Sequence, residues 1–305
     1  MRSVKSVYKN KGEIMFASLQ ELIKESEKTG KSLAELVIAA EVSTSGLSAE
    51  AIRAKMLERL RTMQYSAQQG LDKPIKSISG ISGGSAHKFW HWLDGNKPVT
   101  GSLLSKALAR ALAVNEVNAG MGCIVATPTA GSAGILPATL ITLQEAYEFS
   151  DDEVVDALFV ASGIGMVVVN RANVSGAMGG CQAETGSAAA MAAGASVALM
   201  GGNPRQVTHA VGITLKNMLG LVCDPVAGLV EVPCVKRNAA GAAQCFVAID
   251  LALAGIESII PPDEVIDAMA NIGRVMHKDL KETGLGGLAA TPTGKSLAAK
   301  VWRDS

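Results

Sequence analysis

Cys181, Cys223 and Cys234 stand in short contexts rich in glycine, proline and polar residues. These are Gly179-Gly180-Cys181-Gln182-Ala183-Glu184, Leu221-Val222-Cys223-Asp224-Pro225 and Val232-Pro233-Cys234-Val235-Lys236-Arg237-Asn238. Thiolates are soft ligands that suit iron–sulfur clusters. Three of them on a 4Fe–4S cluster leave one iron open, and an open iron is a Lewis acid that can pull on a substrate oxygen. Spacing alone is a weak pointer. Cys181 and Cys223 are 42 positions apart, the steps to Cys234 and Cys245 are 11 each, and no pair has C-x-x-C spacing. Buried thiols acting as small hydrophobes are the competing reading. Pro225, Gly228 and Pro233 tilt the choice toward ligands, because turns can aim backbone amides at cluster sulfur. Cys245 lies in the apolar helical run Ala242–Val247 and reads as core. Cys123, just before a Thr-Pro-Thr turn, fits core packing and a place near the site equally well.

Two other motifs gather polar groups. In Thr127-Pro128-Thr129-Ala130-Gly131-Ser132-Ala133-Gly134, hydroxyls and small residues open a helix, which makes a seat for a carboxylate or an ordinary N-cap. In Ser82-Gly83-Gly84-Ser85-Ala86-His87-Lys88, paired glycines let backbone approach a ligand and Lys88 adds a positive charge; a plain turn before a helix is the alternative. His209 is a lone helical histidine and reads first as a satisfied core or partner-facing residue. Thr293-Gly294-Lys295-Ser296 resembles the end of a phosphate-binding loop, but Ala289 stands where that loop needs glycine. Lys216 and Lys236 lie in apolar stretches, yet nothing else specifies pyridoxal phosphate.

These groups need a scaffold, and the composition points to a mainly α one. Apolar residues make up 48 % of the 305-residue chain and aromatics only 4 %, so small aliphatic residues must fill the core and helices must pack closely. Formal net charge is zero, which gives no electrostatic reason for a nucleic-acid or anionic-membrane partner. Uncharged stretches such as 117–144 and 185–204 are interrupted by Pro128, Pro137 and repeated glycines, and read as buried helices rather than membrane spans. No apolar signal-peptide core follows the basic N-terminus, and an odd number of cysteines does not suggest a secreted disulfide framework, so a cytoplasmic location is expected.

Capping boxes are expected at Ser18–Glu21, Ser32–Glu35 and Ser150–Glu153. Ile52, Met56, Leu60 and Met63 recur at helical spacing. Val167–Val169 could be a strand but continues a helical pattern from Glu153. Pro261 and Pro262 are expected to stop one helix and Asp263 to start another. Residues 1–75 read as a charged amphipathic lead-in and 76–305 as an Ala/Gly-rich helical body, together one continuous domain. The tetrapeptide Ala126-Thr127-Pro128-Thr129 recurs as Ala290-Thr291-Pro292-Thr293, which suggests one helix-starting device used twice.

Taken together, these motifs resemble the iron–sulfur L-serine dehydratases, specifically the alpha chain of the two-chain bacterial type. The resemblance covers nearly the whole chain and is most specific at Ala126–Gly134, Gly180–Glu184 and Leu215–Asn238. It implies a mainly helical catalytic fold, with Cys181, Cys223 and Cys234 holding a 4Fe–4S cluster that leaves one iron free. It also implies a lyase that dehydrates L-serine to pyruvate and ammonia, as part of an oligomer with a beta chain. Substrate would be held near Thr127, Thr129 and Ser132, with Ser82, Gly83, Gly84 and Lys88 close by. Asn217, Lys236 and Asn238 would flank the cluster segments, and Lys236, Lys88 and His209 are the candidate bases. The chain departs from the family pattern at Ser85, where an acidic residue often follows the two glycines. It also ends without the terminal cysteine of some single-chain relatives. A cysteine desulfidase with the same open iron, and a non-catalytic helical scaffold or regulatory subunit, are the rival readings.

Overall fold

The computed structural model describes residues 16–303; the basic N-terminal segment read above and Asp304-Ser305 lie outside them. Among the described residues there are thirteen α-helices and no named strand, as a mainly α chain requires. They are α1 (Leu19–Thr29), α2 (Leu33–Ser45), α3 (Ala49–Asp72), α4 (Ser85–Leu93) and α5 (Gly101–Ala119), then α6 (Ile135–Tyr147), α7 (Asp151–Arg171) and α8 (Gly176–Gly179). After these come α9 (Ser187–Leu199), α10 (Pro204–Met218), α11 (Cys234–Leu253), α12 (Pro262–Val275) and α13 (Pro292–Val301). No helix among the described residues is long and apolar enough to cross a membrane.

The helix starts follow from local chemistry. Ser32 and Ser150 each accept from the backbone of a glutamate three residues on, and that glutamate reaches back, closing both capping boxes. At α1 the device is altered. Ser18 accepts from the Glu21 amide, but Glu21 returns to the Ala17 amide, 2.8 Å away. The α1 amides of Leu19 and Gln20 donate to Asp263 of α12, at 2.9 and 3.1 Å. A carboxylate from the far end of the sequence therefore caps the first described helix.

The centre is α9, of sequence SAAAMAAGASVAL, whose residues from Ser187 to Val197 are all buried. A helix that is apolar on every side belongs inside a bundle. Here α6, α7, α10 and α11 surround it. Its alanines and Gly194 let the neighbours approach: a Cβ at Gly194 would lie 2.4 Å from Ile164 Cδ1. Leu19, Leu22, Val37, Ile52, Leu60 and Met63 of the lead-in share one core with Leu140, Phe159 and Ile164.

Val167–Val169 is helical, inside α7, in line with the pattern that runs from Glu153. Two expectations change. α11 ends at Leu253, well before the two prolines, and Pro262 rather than Asp263 is the first residue of α12. Proline suits that position because its missing N–H has no helical partner to lose. The repeated tetrapeptide also serves two purposes. Thr291 caps α13 through the Gly294 amide, whereas Thr127-Pro128-Thr129 leads into a short 3-10 turn, and α6 begins only at Ile135.

Candidate functional site

The three cysteines arrive from three different local structures. Cys181 follows α8 and precedes a π-helical turn, Gln182–Gly186, that continues into α9. Gln182 anchors this turn: its amide side chain donates to Met269 O and accepts from the Gly220 amide, while its own N–H donates to Leu221 O. Cys223 lies in an extended segment paired with the 280–282 backbone; its N–H donates to Leu280 O and its carbonyl accepts from the Glu282 amide, each at 2.8 Å. Cys234 is the first residue of α11. All three are buried, at 1, 2 and 5 % exposure.

Cys181 Sγ, Cys223 Sγ and a carboxylate oxygen of Glu184 lie within 4.8 Å of one another. The Cys223 contact holds the Cys181 thiol below its ordinary pKa, helped by the Arg237 charge; the same contact, with burial, pushes Cys223 up. Burial pushes Cys234 up to about 12, and the charges of Cys181 and Glu184 add to it, so the third thiol is within electrostatic reach of the pair. Arg237, one turn into α11, donates to Cys181 Sγ at 3.5 Å and to Val222 O at 2.8 Å. It also pairs with buried Asp224 at 2.8 Å, and the other Asp224 oxygen accepts from the Leu288 amide. One guanidinium thus ties the Cys181, Cys223 and Cys234 segments together. Two soft, buried, grouped thiols, with a third buried thiol in electrostatic reach and a guanidinium beside them, are a donor set that fits an iron–sulfur cluster.

The hydroxyl motifs are also held by buried acids. Thr129 donates to Glu184 Oε1, and Ser132 lies 3.0 Å from Thr129. Burial raises the pKa of Glu184, the Thr129 bond opposes the rise, and the Glu282 charge adds to it. The Gly131–Gly134 turn is clamped by two fully buried amides, Asn115 and Asn238. Each donates to Gly131 O, at 3.0 and 2.8 Å, and accepts from the Gly134 amide, at 3.1 and 3.0 Å. Asn238 also donates to Cys234 O, so it joins this turn to the third cysteine. Ser132 bonds to Thr127 O and Thr127 to Ala133 O, so both hydroxyls brace the turn itself.

In the other motif, Ser82 and Ser79 donate to the two oxygens of buried Glu231, at 2.8 and 2.7 Å, three residues before Cys234. The Ser85 and Ala86 amides at the start of α4 donate to buried Glu116, at 2.7 and 3.2 Å. The backbone donors at this helix start are taken up by the chain's own carboxylate. Gly83 answers a steric need: its φ is +135°, and a Cβ would meet Ile75 O at 2.3 Å. Gly84 takes a left-handed conformation as the N-cap of α4.

Lys88, Lys236 and Asn217 are exposed. His209 Nδ1 accepts from the Ser258 amide at 3.2 Å. Among the described residues, none of these four has a hydrogen bond or ion pair to the three cysteines or Glu184. Cys245 is fully buried, with Sγ bonded to Gly241 O, and Cys123 is exposed. Glu116, Glu184, Glu231, Asp224 and Arg237 received no role from the sequence. Their signal was there: each is a charge within an apolar stretch or a cysteine motif, and a buried charge must have a partner.

Residues 28–289 match the family described as serine dehydratase alpha chain. A Bacillus subtilis protein named probable L-serine dehydratase, alpha chain, is 50 % identical over 94 % of this chain and 96 % of its own length. The L-serine dehydratase alpha chain of Peptoniphilus asaccharolyticus is 43 % identical over 93 % of this chain and 97 % of its own. The L-serine dehydratase of Mycobacterium tuberculosis is 37 % identical over 90 % of this chain but only 61 % of its own length.

Proposed function

This chain belongs to the serine dehydratase alpha chain family, and on that premise we propose that it is the lyase chain that dehydrates L-serine to pyruvate and ammonia, with Cys181, Cys223 and Cys234 holding a 4Fe–4S cluster. Bound there, the cluster supplies Lewis acidity at its open iron toward the β-hydroxyl of serine. The grouping of two buried thiols, Cys181 and Cys223, with the Glu184 carboxylate, and buried Cys234 one helical turn before the guanidinium that bonds Cys181, is the observation that carries this reading.

The surrounding residues have distinct tasks. Arg237 fixes the Cys181 sulfur and, through Asp224, the backbone on either side of Cys223. Asn238 sets the distance between Cys234 and the Thr127–Gly134 turn. Thr129 and Ser132 form the hydroxyl wall beside Glu184, where the polar end of substrate is held; Thr127 shapes that wall from behind. Ser82, Gly83 and Gly84 form a rim suspended from Glu231, with Lys88 on the same helix start. Asn217 lies at the end of α10. Lys236, Lys88 and His209 are the candidate proton acceptors, and a beta chain completes the enzyme in the cytoplasm.

The experiment is a parallel assay of the anaerobically reconstituted chain, with a beta chain, on L-serine and L-cysteine. Turnover of serine with a several-fold higher kcat/KM supports the proposal; turnover of cysteine alone sustains the desulfidase reading. Among Lys236→Gln, Lys88→Gln and His209→Asn, one variant is expected to lose kcat while keeping its iron. Full kcat in all three removes them as bases.

A further inference from the structure

We infer that Glu184 is a fourth ligand of the cluster, a carboxylate on the iron that the three cysteines leave open until substrate displaces it. The inference rests on the cluster reading above and adds one residue to its donor set.

Four observations carry it. A Glu184 carboxylate oxygen lies in the same group as Cys181 Sγ and Cys223 Sγ, all within 4.8 Å of one another. The side chain is only 8 % exposed, yet among the described residues only Oε1 has a hydrogen bond, the one from Thr129. A carboxylate largely withdrawn from water, with one oxygen taken by no protein donor, keeps that oxygen available to a metal ion. The backbone opposite is cut to fit: a Cβ at Gly131 would lie 2.6 Å from Oε1 and 3.1 Å from Oε2, so glycine is needed for the carboxylate to occupy this place. The π-helical turn at Gln182–Gly186 is the fourth observation. π-Helical turns inside helices recur at functional sites, and this one carries Glu184 three residues after Cys181, its N-cap.

Thr129 then gains a defined task. A ligating carboxylate is normally oriented by a hydrogen bond to its other oxygen, and the Thr129 hydroxyl supplies that bond to Oε1. Oε2 is left for iron. Carboxylate oxygen is an established iron donor and a weaker partner for a cluster iron than thiolate, which suits a ligand that must yield to a substrate hydroxyl.

The test uses the full chain, reconstituted anaerobically with iron and sulfide in the absence of serine, as wild type, Glu184→Gln and Thr129→Val. The exchangeable iron is labelled with 57Fe and read by Mössbauer spectroscopy, and its loss to a ferrous chelator is timed. We expect the labelled iron of wild type to show an oxygen-ligated signature that changes in Glu184→Gln while the other three irons keep theirs. Loss of that iron should be about tenfold faster in Glu184→Gln. Thr129→Val should shift the same signature in the same direction by a smaller amount, and it decides the matter if Glu184→Gln does not fold by circular dichroism. An unchanged signature and loss rate in a loaded Glu184→Gln overturns the inference alone. So does a loaded Thr129→Val identical to wild type. A wild-type chain that takes up no iron overturns the cluster reading beneath it.

Discussion

The helical body around α9 and the polar mouth around the cysteines are built on opposite principles. The body closes through small side chains: Ser187–Val197 is buried on all faces, and its neighbours pack against alanine and glycine. The mouth closes through paired charges and amides: Glu116, Glu184, Glu231 and Asp224 each hold backbone or side-chain donors, and Asn115 and Asn238 clamp one turn from two helices. A body of this kind tolerates exchange among apolar side chains of like volume and is intolerant of added volume. The mouth is the reverse, because a polar network loses most when one member is removed. The two regions should therefore respond differently to substitution, and iron content separates a damaged mouth from a damaged body.

The sharpest break of that contrast compares two buried cysteines. Cys223→Ser should abolish iron binding and serine turnover, whereas Cys245→Ser, in the body, should keep both. Iron retained in Cys223→Ser, or lost in a folded Cys245→Ser, would erase the distinction. Asn238→Ala comes next. It removes one of two side-chain donors to Gly131 O and the side-chain bond to Cys234 O, while Asn115 still serves Gly131 O and the Gly134 amide, and should cost about 2 kcal/mol in chemical denaturation. Its iron should also be lost faster, since Cys234 is no longer fixed to the Thr129 turn. Gly194→Ala adds a methyl 2.4 Å from Ile164 Cδ1. It should cost about 2 kcal/mol of stability and leave the iron content at the wild-type value. The smallest effect is expected at the periphery of the body. Ser32→Ala removes the hydroxyl of a capping box and should cost about 1 kcal/mol, with no change in iron or turnover.

The same contrast explains what was legible in the sequence. Helix starts at Ser32 and Ser150 were readable because the box lies within four residues. The mainly α character followed from apolar spacing and small residues. The cysteine motifs were readable because each carries its own turn residues. The couplings that build the mouth left no local pattern: Thr129 meets Glu184 across 55 positions and Ser82 meets Glu231 across 149. The sequence could show donors in the Thr-Pro-Thr and Gly-Gly motifs, but not that the chain's own glutamates take them up. Pro261-Pro262 misled for a related reason. Proline marks a boundary without saying whether a helix ends before it or begins on it.

The most direct measurement is the iron and acid-labile sulfide content of the purified wild-type chain, with its visible absorbance, before and after anaerobic reconstitution. The account predicts about four irons and four sulfides per chain and a broad band in the blue, with serine turnover in the presence of a beta chain rising in step with iron. A chain that stays colourless and iron-free, or that turns over serine without iron, would contradict it.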